Sequence, residues 1–106
     1  MRRLVLGLVL LATLPACDPQ QLADKAKGRA AESVVMPVVN RDMPADVAEV
    51  ATRCILDAAT AFEIEDLARD LGVEAGTRTQ QTIRAIAQRP AAAGCFAAGG
   101  VPPLRG

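Results

Sequence analysis

Apolar side chains along this chain recur every three or four positions, the spacing of one helix face, and do not alternate as they would in a strand. The first row follows Asp18 and Pro19, a capping residue and a proline suited to a first turn, with Gln21 three residues after the cap. It consists of Leu22, Ala26, Ala30, Val34 and Val38. Pro37 disfavours helical geometry at Met36 and removes a backbone donor, so we expect this helix to end or kink there.

Two further rows follow the polar, proline-punctuated segment 40–44, which is the predicted boundary before a second unit. The first consists of Val47, Val50, Ala51, Cys54, Ala58 and Ala61. This spacing places Cys54 on the face that seeks a core. Thr60 and Glu63 match a capping box, which indicates that a new helix starts there. Its predicted buried side consists of Ile64, Leu67, Ala68 and Leu71, and Gly72 is a natural stop.

The C-terminal third predicts two more helical stretches. Residues 77–80 offer a cap, and Ile83, Ile86 and Ala87 follow as an apolar side before Arg89-Pro90 ends the run. Residues 90–98 are alanine-rich and suit a last short helix, whereas 99–106 contain glycines and prolines and predict a frayed tail. The chain is therefore predicted to be all-α, a small bundle of about four short helices. The chain is predicted to divide into four segments: an N-terminal segment 1–16, a helix with its linker at 17–43, a helical domain containing Cys54 and Cys95 at 44–98, and a flexible tail at 99–106.

The first seventeen residues differ from the rest. Arg2 and Arg3 precede an apolar run, 4–14, of about a dozen residues, which is short of the roughly twenty that a membrane span requires. This order is typical of a cleaved secretion signal. The segment Leu14-Pro15-Ala16-Cys17 resembles the lipobox of bacterial lipoproteins, although Pro15 stands where that motif usually has Ala, Ser or Thr. The alternative is ordinary signal-peptidase cleavage after Ala16.

The resemblance implies that Cys17 is acylated and becomes the first mature residue. Several acyl chains would hold the protein on the periplasmic side of a bacterial membrane. Asp18, directly after the anchor, resembles the inner-membrane retention signal of some lipoproteins. The nearby cluster of Lys25, Lys27 and Arg29 would then either rest against anionic headgroups or form a solvated helix face.

The three cysteines fit this interpretation. If Cys17 carries lipid, an even pair is left, and an oxidising periplasm favours a disulfide between Cys54 and Cys95. Two separate buried thiols are the alternative.

Composition excludes several functions. Loss of Arg2 and Arg3 with the signal leaves ten basic against twelve acidic residues, and the chain has no Trp, no Tyr and two Phe, so we expect no nucleic-acid partner.

Segment 46–70 is acidic and segment 76–106 contains arginines but no acid, which suggests that opposite charges help to pair these two arms.

Catalytic groups are scarce in the sequence. The chain has no histidine, and Ser33 is its single serine, with no base to activate it. Glu63, Asp66 and Asp70 share a helical face that would suit either a weak Ca²⁺ or Mg²⁺ site or, as we expect, plain solvation. The sequence therefore predicts a non-catalytic protein without a cofactor or a metal site.

The segment Cys54-Ile55-Leu56-Asp57-Ala58-Ala59, together with Arg89-Pro90 before Cys95, faintly resembles small lipoproteins of alphaproteobacterial type. Some of these carry a succinate-dehydrogenase label, which implies an accessory role beside an inner-membrane respiratory complex. The sequence hypothesis is a lipid-anchored periplasmic protein with a structural or protein-interaction role. Its alternatives are that accessory role and a soluble periplasmic binding or inhibitory module.

Overall fold

The computed structural model describes residues 19–104, so the predicted signal, Cys17, Asp18 and Arg105 lie outside the described residues. Within that range the regular structure is entirely helical. The helices are α1 Pro19–Asn40, α2 Ala45–Ala58, α3 Ala61–Ala68, α4 Thr77–Ala87 and α5 Pro90–Ala98. The all-α prediction is confirmed, with five helices in this range rather than about four.

Helix α1 continues through Pro37 and ends at Asn40, so of the predicted end or kink near Met36, the end is wrong and the kink stays a prediction. A proline inside a helix costs about 3 kcal/mol. The turn that follows it carries Val38 and Val39, which are 8% and 0% exposed, and burying each contributes about 1.5–3 kcal/mol. Packing of the last turn therefore offsets the proline penalty.

Residues 41–44 form a tight turn between α1 and α2, and Met43 within it is buried. Helix α1 packs on both α2 and α3. The hydrophobic core contains buried residues from both sides of this turn. The C-terminal half of α1 and the cysteine-bearing helices therefore form one packed unit. The buried face of α1 consists of Ala31, Val34, Val35, Val38 and Val39. Leu22 and Ala26 of the predicted row are exposed instead.

Helix α5 runs antiparallel to α2. Arg89, just before α5, contacts the carbonyl of Ala58, and Cys95 lies beside Cys54. Gly99 lies against Val50, so that a Cβ at Gly99 would come within 2.9 Å of the Val50 Cγ1. Residues of increasing number in α5 therefore contact residues of decreasing number in α2, as antiparallel packing requires.

Helix α3 runs in the same direction as α1. Glu65 lies beside Lys27, and beyond the C-terminal ends of both helices Glu74 contacts Arg41. The start of α1, the connection 59–60 and the connection 88–89 therefore lie at one end of the bundle, which we call the proximal end. The turn 41–44 and the connection 69–76 lie at the other, the distal end.

The core joins all five helices. Its fully buried larger side chains are Val35, Val39, Thr52, Cys54, Ile55, Leu67, Ile83 and Ile86. Thr52 is the polar member, and its hydroxyl donates to the Ala48 carbonyl at 2.7 Å. This buried hydroxyl is therefore satisfied within its own helix.

The end of α5 differs from the predicted frayed tail. Gly100 has a φ of +68°, and its N–H donates to the Ala97 carbonyl at 3.4 Å. The Val101 N–H donates to the Phe96 carbonyl at 2.8 Å. These two bonds form a Schellman motif, and Val101 and Phe96 are both buried, as that motif favours. The chain is therefore ordered by this cap as far as Val101.

Candidate interaction surfaces

The sulfur atoms of Cys54 and Cys95 lie 2.04 Å apart, at disulfide bonding distance, and their Cα atoms are 5.5 Å apart. The geometry agrees with the predicted pairing. Cys54 is buried in the core and Cys95 is half-buried. The bond fixes α5 on α2 at the middle of both helices.

Glu63 and Arg89 link three helix ends at the proximal end. The Arg89 guanidinium donates to both carboxylate oxygens of Glu63, at 2.7 and 2.6 Å, and to the Ala58 carbonyl at 3.1 Å. The same carboxylate accepts from the Thr60 N–H at 2.9 Å, and the Thr60 hydroxyl accepts from the Glu63 N–H at 3.2 Å. The predicted capping box at Thr60 is therefore confirmed.

This arrangement lowers the pKa of Glu63 to about 2, chiefly because Arg89 hydrogen-bonds to its ionised form. Partial burial opposes the shift, and the Thr60 backbone donor adds to it. The pKa of Arg89 is raised by the same pair. The two arms are thus joined by an opposite-charge contact, as the charge pattern predicted.

The other carboxylates of the candidate acidic face have different partners. Asp70 accepts from the Thr79 hydroxyl, and Asp66 lies 3.9 Å from Arg69, which directly follows α3. Across residues 19–104, no group of three or more acidic or cysteine side chains is placed to hold a metal ion. The structure does not bring Glu63, Asp66 and Asp70 together as one site.

An apolar groove of about 350 Å³ lies along α4, α5 and the segment after α5. Its lining residues are Ala87, Gln88, Ala93, Phe96, Ala97, Val101, Pro103 and Leu104. Sequence reasoning missed this groove because three of its eight lining residues follow Gly99, where a frayed tail was predicted. The available signal was Val101, an apolar residue directly after a glycine pair, which is the Schellman pattern.

Exposed large apolar side chains occur at both ends of the bundle. Leu22 and Phe62 are 57% and 69% exposed near the proximal end. Leu71 and Val73 are 56% and 66% exposed at the distal end. Leu71 was predicted to be buried, but α3 ends at Ala68 and the chain turns before that side chain can reach the core.

The predicted basic cluster is exposed, and Lys27 lies 4.0 Å from Glu65 of α3. Ser33 donates its hydroxyl to the Arg29 carbonyl one turn earlier. None of the helices between residues 19 and 104 is both long enough and apolar enough to cross a bilayer. No protein family, curated protein or solved structure was found to match this chain.

Proposed function

We propose that this protein is a non-catalytic periplasmic lipoprotein, held at the membrane by acylated Cys17, that binds another protein. The lipobox-like segment ending at Cys17 and the paired state of the other two cysteines support the anchor. The groove along α4 and α5 supports the binding role, and it is the single observation that carries it.

The groove suits an apolar segment of a protein partner. Its walls are alanine, phenylalanine, valine, proline and leucine, with Gln88 as the polar member. One wall, α5, is held to α2 by the disulfide and ends in the Schellman motif. A preformed apolar surface loses little conformational entropy when a partner binds.

The anchor is tested by Cys17→Ala. We expect this variant to leave the membrane fraction, whereas a variant that stays membrane-bound at full length would refute lipid anchoring. If the protein is instead a soluble periplasmic binding module, the wild type and Cys17→Ala would both be found in the soluble fraction.

The binding role is tested by crosslinking in native membranes with a C-terminal tag. Ala97→Arg places a charge on the groove wall, and Ala91→Arg places the same charge on an exposed position of α5 outside the groove. A specific crosslinked partner should be lost with the first variant and kept with the second. Loss with both variants, or with neither, would contradict a groove-bound partner.

A further inference from the structure

The proximal end exposes apolar side chains that the fold does not use. Phe62 is 69% exposed, although the other phenylalanine, Phe96, is buried in the core. Phe62 lies in the first turn of α3 and Leu22 lies in the first turn of α1. Helical side chains lean toward the N-terminus of their helix, and both helices start at the proximal end. Both side chains therefore extend toward that end.

Chain length links this end to the membrane. Cys17 precedes Pro19 by two residues, so its Cα lies within about 7 Å of the first residue of α1. Acyl chains on Cys17 would enter the bilayer beside the proximal end. We propose, resting on the lipid anchor proposed above, that the proximal end is a membrane-contacting surface and that Phe62 and Leu22 insert into the lipid interface.

Apolar contact, not charge, drives this insertion. Arg89 is paired with Glu63, and Lys27 lies 4.0 Å from Glu65. The exposed Lys25 and Arg29 of α1 are offset by Asp24 and Asp57, which are also exposed near this end and oppose attraction to anionic lipids. Phe and Leu are among the residues that interfacial helices bury in the headgroup region. Burying each side chain should strengthen membrane contact by about tenfold or more.

The distal end provides a matched control, because Leu71 and Val73 are similarly exposed there. The chain has no tryptophan, so a single Trp introduced at Phe62 or Val73 reports its own surroundings. With Cys54 and Cys95 paired, the Cys17 thiol of the chain 17–106 can be coupled to a maleimide lipid. The vesicles contain phosphatidylethanolamine and phosphatidylglycerol, with or without brominated acyl chains that quench tryptophan.

On coupling to the vesicles, we expect the tryptophan fluorescence of Phe62→Trp and Leu22→Trp to shift to shorter wavelengths and to be quenched by the brominated lipids. The fluorescence of Val73→Trp should not change, and these results should be the same at low and high salt. Equal quenching at both ends, or none at Phe62→Trp, would overturn the proposal. A concentration-dependent shift without vesicles would assign the surface to contact between copies instead. Acylation in cells is measured separately, on native protein, so failure of the anchor and failure of this surface are distinguishable.

Discussion

The Glu63 carboxylate accepts two hydrogen bonds from Arg89 while it caps the first turn of α3. Arg89 in turn donates to the last carbonyl of α2. A cation at a helix C-terminus and an anion at a helix N-terminus both match the helix dipole. This pair therefore holds the proximal ends of α2, α3 and α5 together.

Neutralising Glu63 should destabilise the fold. Glu63→Gln keeps an oxygen for the Thr60 N–H but loses the charge that faces Arg89, which should cost about 1–2 kcal/mol. Glu65→Gln, on the same helix but more exposed, should cost less than about 0.5 kcal/mol. Urea unfolding at neutral pH measures both, and equal effects would contradict the role of the pair.

Acid should weaken the protein through the same carboxylate. The folded-state pKa of Glu63 is about 2, below its ordinary value of 4.5. Between these two pH values the unfolded chain therefore binds more protons than the folded chain. The contribution of Glu63 is present above about pH 4.5 and is lost as the pH falls toward about 2. Unfolding of the wild type and of Glu63→Gln should therefore converge across this window, and a constant difference would argue against the low pKa.

Reduction of the disulfide should lower stability substantially. The bond joins residues 41 apart, and closing a loop of this length contributes about 4 kcal/mol in the chain-entropy model. Denaturant unfolding with and without reductant measures the effect. The double variant Cys54→Ala/Cys95→Ala is the control, because its stability should not respond to reductant.

The same substitution at two glycines of α5 and its cap should have opposite effects. Gly100 has a φ of +68°, so Gly100→Ala should destabilise by about 1 kcal/mol. Gly94 lies in the exposed interior of α5 with nothing within 4 Å of its added Cβ, so Gly94→Ala should stabilise by about 0.5–1 kcal/mol. Thermal unfolding checks the signs, and a neutral Gly100→Ala would contradict the Schellman cap.

Val101 should contribute to stability although it follows the last helix. It is 6% exposed, so Val101→Ala should cost about 1–2 kcal/mol. Val73→Ala, at a position 66% exposed, should change stability by less than about 0.5 kcal/mol. If both variants unfold like the wild type, the segment after α5 is not packed on the core.

Local signals predicted the parts of the fold that local chemistry decides. Thr60 and Glu63 needed only each other to start α3. Gly72, the predicted stop, has a φ of +86°, but α3 already ends at Ala68. Pro37 does not end α1 and Leu71 is not buried, because tertiary packing decides both. Burial of Val38 and Val39 keeps α1 helical, and the early end of α3 leaves Leu71 outside the core. Residues 77–80 were also misjudged, because α4 starts at Thr77 and its N-cap, Gly76, has no side chain to form a cap.

The candidate surfaces were harder to predict than the helices. The charge pattern indicated that the two arms pair, but it did not identify Arg89 as the partner of Glu63, which depends on the turn before α5. The groove depends on Val101 and Leu104 returning to α5, a contact set by the left-handed Gly100.

Intact-mass analysis of the mature protein from native membranes tests whether acylated Cys17 anchors it. We expect a chain that begins at Cys17, carries the added mass of acyl groups on that residue, and keeps Cys54 and Cys95 oxidised. A mature chain without acyl mass, or one in which Cys17 is disulfide-linked to Cys54 or Cys95, would contradict it.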